Sequence, residues 1–180
     1  MKNRAWLEIN LNALRQNVAL IRELIGSNKQ IIAVVKANAY GLGVEQVVTA
    51  LESHCDYFAV ANLLEASRVR SVCAQTPILI LSTVLADELS EVLQRGFEIC
   101  VSTFAELEQI DTVAKTLGIL AKVHLKVDTG MGRMGFEYHD LLSQPTTFLK
   151  YQNIIWVALC SHLACADSSD DFNREQLVRF

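Results

Sequence analysis

Two stretches of the sequence carry residues whose types and spacing could do chemistry. The first is "VVKANAYGLG", in which Lys36 ends an apolar run and Tyr40 follows four residues later. An ammonium that shares a strand face with Ile32 and Val34 is partly desolvated, which favours the neutral amine. A neutral lysine amine is the nucleophile of Schiff-base chemistry with carbonyls or a pyridoxal cofactor. The bland alternative is a lysine whose stem lies along the strand while its head reaches water. The second stretch is "HLKVDTGMGRMGF", residues 124–136. At a period of two, His124, Lys126 and Asp128 share one strand face and Leu125 and Val127 the other. Burying such a row is unfavourable unless its members pair or bind something. An internal ion-pair network meets that condition as well as a reactive site does.

The same stretch contains Gly130-x-Gly132-x-x-Gly135, the spacing of a dinucleotide-binding loop. Such a loop sits in the first strand–helix turn of its unit and has an acidic residue about 20 positions further on. Here the run falls late in the chain, and counting on from Gly135 lands among "NIIWV", which has no acid. The glycines are therefore expected to make a sharp strand-exit loop that lets Arg133 reach back over the strand ends. Ser82, Ser102 and Ser161 also fall at strand ends but carry little weight alone. "CSHLAC" sets His162 between Cys160 and Cys165, yet no second half of a zinc site accompanies it. No metal is expected. The five cysteines form no Cys-x-x-Cys pair and read as reduced thiols used as small core residues.

The elements that must position these residues alternate. After an expected first strand at "AWLEI", Asn10 caps a helix whose apolar face is Leu14, Val18, Ile21 and Ile25, ended by Gly26 and Ser27. "IIAVV" (31–35) is apolar on both faces, as in a buried parallel strand. Helices are expected near 44–53, after Asn62 and Glu65, near 86–94, after Thr103 and Glu106, at about 138–150, and over "SDDFNREQLVRF". Between them lie strands at "YFAV", "ILIL", "FEICV", "LAKVHLKV" and "IIWVAL". Six strand–helix units imply an α/β fold with a parallel sheet, either doubly wound or a (β/α)8 barrel. A barrel needs about 250 residues, so 180 residues would supply about three-quarters of one, and the last helix has no stop signal.

Composition narrows the function classes. The chain is 51% hydrophobic and 20% charged, with a net charge of −4, which points away from nucleic acid and anionic membranes. No apolar run approaches the roughly 20 residues of a membrane span, and Glu8 and Asn10 interrupt any signal-peptide pattern. A cytoplasmic protein is expected.

Together, "AVVKANAYGLG", "HLKVDTGMGRMGF" and "SHLACAD", with "RAWLEINLNALRQN" at the start, resemble the N-terminal barrel of the alanine racemases, fold-type III pyridoxal-phosphate enzymes. The resemblance covers essentially the whole chain. It implies an incomplete (β/α)8 TIM-type barrel of about six units over residues 1–180, with the family's C-terminal β-domain lying beyond Phe180.

The resemblance also implies roles for individual residues. Lys36 would hold pyridoxal 5'-phosphate as a Schiff base and act as acid and base on one face of the substrate Cα, and Tyr40 would bind the cofactor phosphate. Lys126 matches a lysine often carbamylated in the family. Arg133 would lie near the cofactor's phenolic oxygen and the substrate carboxylate, and His162 beside the pyridine ring, while Asp128 is expected to support the loop. Leu42 departs from the family's usual histidine.

The implied activity is interconversion of L- and D-alanine, the supply of D-alanine for peptidoglycan, by a homodimer in the complete enzyme. The opposite-face tyrosine and the arginine at the pyridine nitrogen belong to the part beyond Phe180, so little activity is expected of these residues alone, together with self-association through open sheet edges. Two other readings accompany it: a non-catalytic barrel of the pyridoxal-phosphate-homeostasis type, and a broad-specificity or serine racemase.

Overall fold

Strand–helix alternation is what the chain forms. The computed structural model describes residues 4–143, 145–168 and 171–180. These divide into two compact units, with the boundary between Leu81 and Ser82.

In the first unit, α1 (Leu11–Ile25) is capped by Asn10, whose side chain accepts from the Ala13 N–H at 3.1 Å. It lies against α3, where Arg15 Nε donates to the Ala50 carbonyl at 3.1 Å. None of its residues is buried, and of its expected apolar face Ile21 is 46% exposed. β1 (Ile32–Val34) runs directly into α2 (Lys36–Tyr40), and then α3 (Val44–Leu51), β2 (Tyr57–Val60), α4 (Leu63–Val72) and β3 (Ile78–Ile80) follow. The three strands are parallel, with Val34 opposite Ala59 and Ala59 opposite Leu79. Phe58, Val60, Ile78 and Ile80 are wholly buried, as expected for strands covered on both faces.

Two expectations fail in this unit. Residues 5–9, "AWLEI", form no strand: they pair with none of the described strands, and Trp6 and Leu7 are exposed. β1 is also not buried on both faces. It is an edge strand of its unit, and Ile32 and Val34 are 42% and 40% exposed.

The second unit contains α5 (Leu89–Gln94), β4 (Glu98–Val101), α6 (Phe104–Leu117), β5 (Ala121–Asp128), β6 (Phe136–Glu137), α7 (Tyr138–Ser143), a 3₁₀ turn (Pro145–Lys150), β7 (Ile154–Cys160) and α8 (Asp171–Arg179). Thr103 and Glu106 close the expected capping box on α6. The expected helix over 138–150 is instead a short α-helix and a 3₁₀ turn, because Pro145 cannot donate an amide to a continuing helix. β5 is central: β4, β6 and β7 all pair with it in parallel. Within the second unit, Phe104, Phe136, Phe148 and Trp156 form an aromatic cluster with ring centroids 4.9–5.9 Å apart.

Candidate active site

Lys36 stands where β1 ends, and it is half-buried. The chain then makes an unusual turn. Ala37, Asn38, Ala39 and Tyr40 have φ of 52°, 57°, 53° and 55°, a left-handed helical turn built from four residues that are not glycine. Each such residue costs roughly 1–2 kcal/mol, so the surroundings must hold the turn in place.

The holding groups are visible. The Ala39 N–H donates to the Val35 carbonyl at 2.9 Å, and the Gly43 N–H to the Asn38 carbonyl at 3.0 Å. The Glu65 carboxylate accepts from the Ala37 N–H and from the Ala61 N–H, each at 2.8 Å. Asn38 Oδ1 accepts from the Val44 N–H and from Arg68 Nη2, both at 3.1 Å. Arg68 is in turn clamped on Glu45 by contacts of 2.8, 3.0 and 3.1 Å. Tyr40 closes the turn with its side chain 64% exposed.

The second unit gathers the other expected residues at the C-terminal ends of β5 and β7. The register sets Lys126 opposite Cys160 and His124 opposite Cys100. His124 is buried against Glu98, and Lys126 is half-buried nearer the strand end. His124 is thus satisfied by a buried carboxylate, the ion-pair alternative realised at one end of the polar row. Cys100 and Cys160 touch, with sulfurs 3.9 Å apart. Cys160 is lowered to about 7, chiefly by the hydrogen bond from Cys100 and then by the Lys126 and His124 charges against burial. The same contact, with burial, pushes Cys100 up.

Asp128 organises the loop. Its carboxylate accepts from the backbone N–H groups of Gly130 at 2.8 Å, Gly132 at 3.1 Å and Arg133 at 3.1 Å. Burial raises this carboxyl, but these amides outweigh it and hold the group below the usual carboxylate range. Gly135, with φ of 127°, brings the loop back so closely that a Cβ would lie 2.5 Å from the Asp128 nitrogen. At Gly130 a Cβ would lie 2.6 Å from the Phe172 ring of α8. The glycine spacing therefore serves chain reversal and close packing. The Arg133 side chain is exposed at the tip.

His162 lies two residues beyond β7, exposed at its side chain and fixed at its backbone. A polar chain reaches it from the buried Gln176 of α8. Gln176 Nε2 donates to the His162 carbonyl at 3.0 Å and to the Thr129 hydroxyl at 3.1 Å. The Thr129 hydroxyl meets the Ser161 hydroxyl at 2.8 Å, and Ser161 donates to the Val127 carbonyl at 2.9 Å. Neither Gln176 nor the Glu65 contact with Ala37 stood out in the sequence, since these partners lie 12 to 47 residues away along the chain. Only the Asn62–Glu65 spacing hinted at the latter, and it pointed to a cap.

Comparison with known proteins places the chain in a family. Residues 9–180 match the family model of the alanine racemase N-terminal domain. Alanine racemase from Desulforamulus reducens is 39% identical over 183 residues, covering 100% of this chain and 50% of that protein. Among solved structures, alanine racemase of Clostridium difficile 630 in complex with cycloserine matches with a TM-score of 0.91 and 31% identity, over 99% of this chain and 50% of that one. The Bartonella henselae enzyme, solved with covalently bound pyridoxal phosphate, matches with a TM-score of 0.82 and 28% identity, over 94% and 50%. The chain thus spans about half the length of the relatives it matches, and its fold is the expected parallel α/β, (β/α)8 type in incomplete form. By its motifs, its fold and these matches, the chain belongs to the alanine racemase N-terminal domain family.

Proposed function

We propose that the chain is the cofactor-carrying half of a pyridoxal-phosphate-dependent alanine racemase. The observation that carries this reading is Lys36 at a strand end, followed by a strained turn that its neighbours hold in place. Among the described residues its ammonium has no ion-pair partner, as suits an amine that must act as a nucleophile. In the second unit the Ser102 hydroxyl at the end of β4 is buried without a hydrogen-bond partner among the described residues, which suits a polar ligand over the strand ends. Each observation, within its own unit, supports this reading.

In this reading Lys36 binds pyridoxal phosphate covalently and moves a proton at the substrate Cα. The cofactor, when bound, supplies an electron sink for the charge left at Cα. Tyr40 would bind the phosphate, His162 would face the ring, Arg133 would receive the substrate carboxylate, and Lys126 would be a site of carbamylation. Racemisation needs an acid and base on both faces of Cα, and only Lys36 is assigned here. Alanine as substrate, a homodimeric complete enzyme, a cytoplasmic setting and a role in peptidoglycan supply belong to the same proposal.

Borohydride trapping tests it. Incubation with pyridoxal phosphate, reduction and peptide mass spectrometry should place the adduct on Lys36, and Lys36→Ala should abolish it. Capture at other lysines with Lys36 unmodified would overturn the reading. Racemisation by these residues alone should be slight, and turnover matching a complete racemase would refute the assignment of a single acid–base group.

A further inference from the structure

We infer that Glu65 is a positioning residue for Lys36, acting through the left-handed turn with Asn38 and Arg68 as its supports. This rests on the proposed role of Lys36 and goes beyond it, because neither Glu65 nor Arg68 is given any contact with cofactor or substrate. The argument begins with the peptide bond. The Ala37 N–H belongs to the peptide that follows Lys36, so a group holding that N–H fixes the plane one bond from the Lys36 Cα. Glu65 Oε1 holds it at 2.8 Å. The other oxygen, Oε2, holds the Ala61 N–H just past the end of β2, also at 2.8 Å. Since Val34 pairs with Ala59, one carboxylate ties together the exits of two neighbouring strands at the point where Lys36 leaves β1.

Local capping does not account for this arrangement. Asn62 caps α4 by accepting from the Glu65 N–H at 3.0 Å, but the Glu65 side chain reaches past Asn62 to Ala61 and Ala37. Three residues along α4, on an adjoining position of the same helix face, Arg68 reaches Asn38 in the middle of the turn. Asn38 also accepts from the first amide of α3, and Glu45 of α3 fixes Arg68. The left-handed turn is therefore gripped at its first and second residues from α4 and at its second from α3. Without the grip, four non-glycine residues would relax toward right-handed or extended backbone, and the Lys36 side chain would leave its direction.

Two cofactor-free readouts and one trapping assay test the inference on the whole chain. Glu65→Gln keeps the shape but turns a donor toward one of the two amides. It should lose slowed amide hydrogen exchange at Ala37 or Ala61. It should also lower the pyridoxal-phosphate trapping rate at Lys36 by roughly tenfold, the equivalent of one charge-assisted hydrogen bond. Competitive acetylation of Lys36 should change against that of Lys122, an exposed lysine that serves as the internal standard.

If Glu65→Gln folds poorly, the comparison moves into an Ala37→Gly/Ala39→Gly background, where glycine removes the left-handed penalty. There Glu65 should still raise Lys36 trapping over Gln. Wild-type trapping and acetylation at Lys36 in folded Glu65→Gln would overturn the inference. A wild-type chain that takes no pyridoxal phosphate at Lys36 would instead sink the functional reading, and acetylation would still report on the positioning.

Discussion

Glu98 and His124 form a buried pair in which the imidazole Nε2–H donates to Glu98 Oε2 at 2.7 Å, with side chains 3% and 5% exposed. Lys122, itself half in water, adds a weaker contact at 3.5 Å. Burial raises the Glu98 carboxyl, but the hydrogen bond and charge of His124, joined by Lys122, more than reverse this and hold it below its ordinary range. A folded-state value below the unfolded one, about 4.3, means the Glu98 carboxylate's contribution to stability is complete above that pH. It is lost as pH falls through the folded value. Removing one partner, as in His124→Leu, should cost about 3–5 kcal/mol at neutral pH. The double replacement Glu98→Leu/His124→Leu should be far milder, because no charge is left unpaired. Urea denaturation measures both, and a single-variant loss below about 1 kcal/mol would contradict the pairing.

The Asp128 loop makes a second test. Asp128→Ala removes an acceptor shared by three backbone amides and should destabilise the chain by about 1–3 kcal/mol. The wild-type carboxylate is depressed, so its contribution is present above the unfolded Asp value of about 3.9 and disappears only below it. Protection of the amides in residues 129–133 relative to free peptide should therefore persist at pH 5 and fall in stronger acid. Among the glycines, Gly135→Ala should be the more damaging change, since its Cβ meets the Asp128 backbone. Gly132→Ala meets nothing within 4 Å and should cost only the left-handed backbone penalty of about 1–2 kcal/mol. Equal losses at the two positions would show that chain reversal is not what Gly135 supplies.

These residues also mark how far the sequence is legible. Thr103 and Glu106 could be read as a capping box because their partners lie within one turn. "YFAV" could be read as a strand because apolar runs between turn residues leave few alternatives. The left-handed turn could not. Ala, Asn, Ala and Tyr show no local preference for positive φ, and the groups that enforce it, Glu65 and Arg68, lie 28 and 30 residues beyond their partners. β6 was equally hidden, as two residues recruited to β5 by the return of the Asp128 loop. The opposite holds at "AWLEI", an apolar pattern that forms no strand. Motif residues were legible by type and spacing, and their supports were set by tertiary contacts alone.

The thiol pair predicts a pH-dependent reaction. With Cys160 at about 7, a maleimide or iodoacetamide should modify it with a midpoint near neutrality, below the roughly 8.5 of an ordinary cysteine. Cys100, pushed up by the same contact and by burial, should stay unmodified in the folded chain. Cys100→Ala should move the Cys160 midpoint up the most, because it removes the main cause, and Lys126→Met should move it up less. Peptide mass spectrometry across a pH series reads each site. A Cys160 midpoint near 8.5 in the wild-type chain would refute the arrangement.

Exposed apolar strand surface predicts self-association of these 180 residues. Among the described residues of the first unit β1 pairs only with β2, and Ile32 and Val34 are exposed. In the second, β7 pairs with β5 and leaves Ile155, Trp156 and Leu159 exposed at 41%, 39% and 57%. Unpaired strand edges flanked by apolar side chains recruit further strands, and lysine on an edge suppresses the pairing. The apparent mass in light scattering should therefore rise with concentration, and Val34→Lys and Leu159→Lys should each reduce that rise. If β1 is the dominant edge, Val34→Lys alone should nearly abolish it, whereas association carried by both edges requires the double variant. A wild-type chain that stays monomeric at high concentration would show that these surfaces do not drive association.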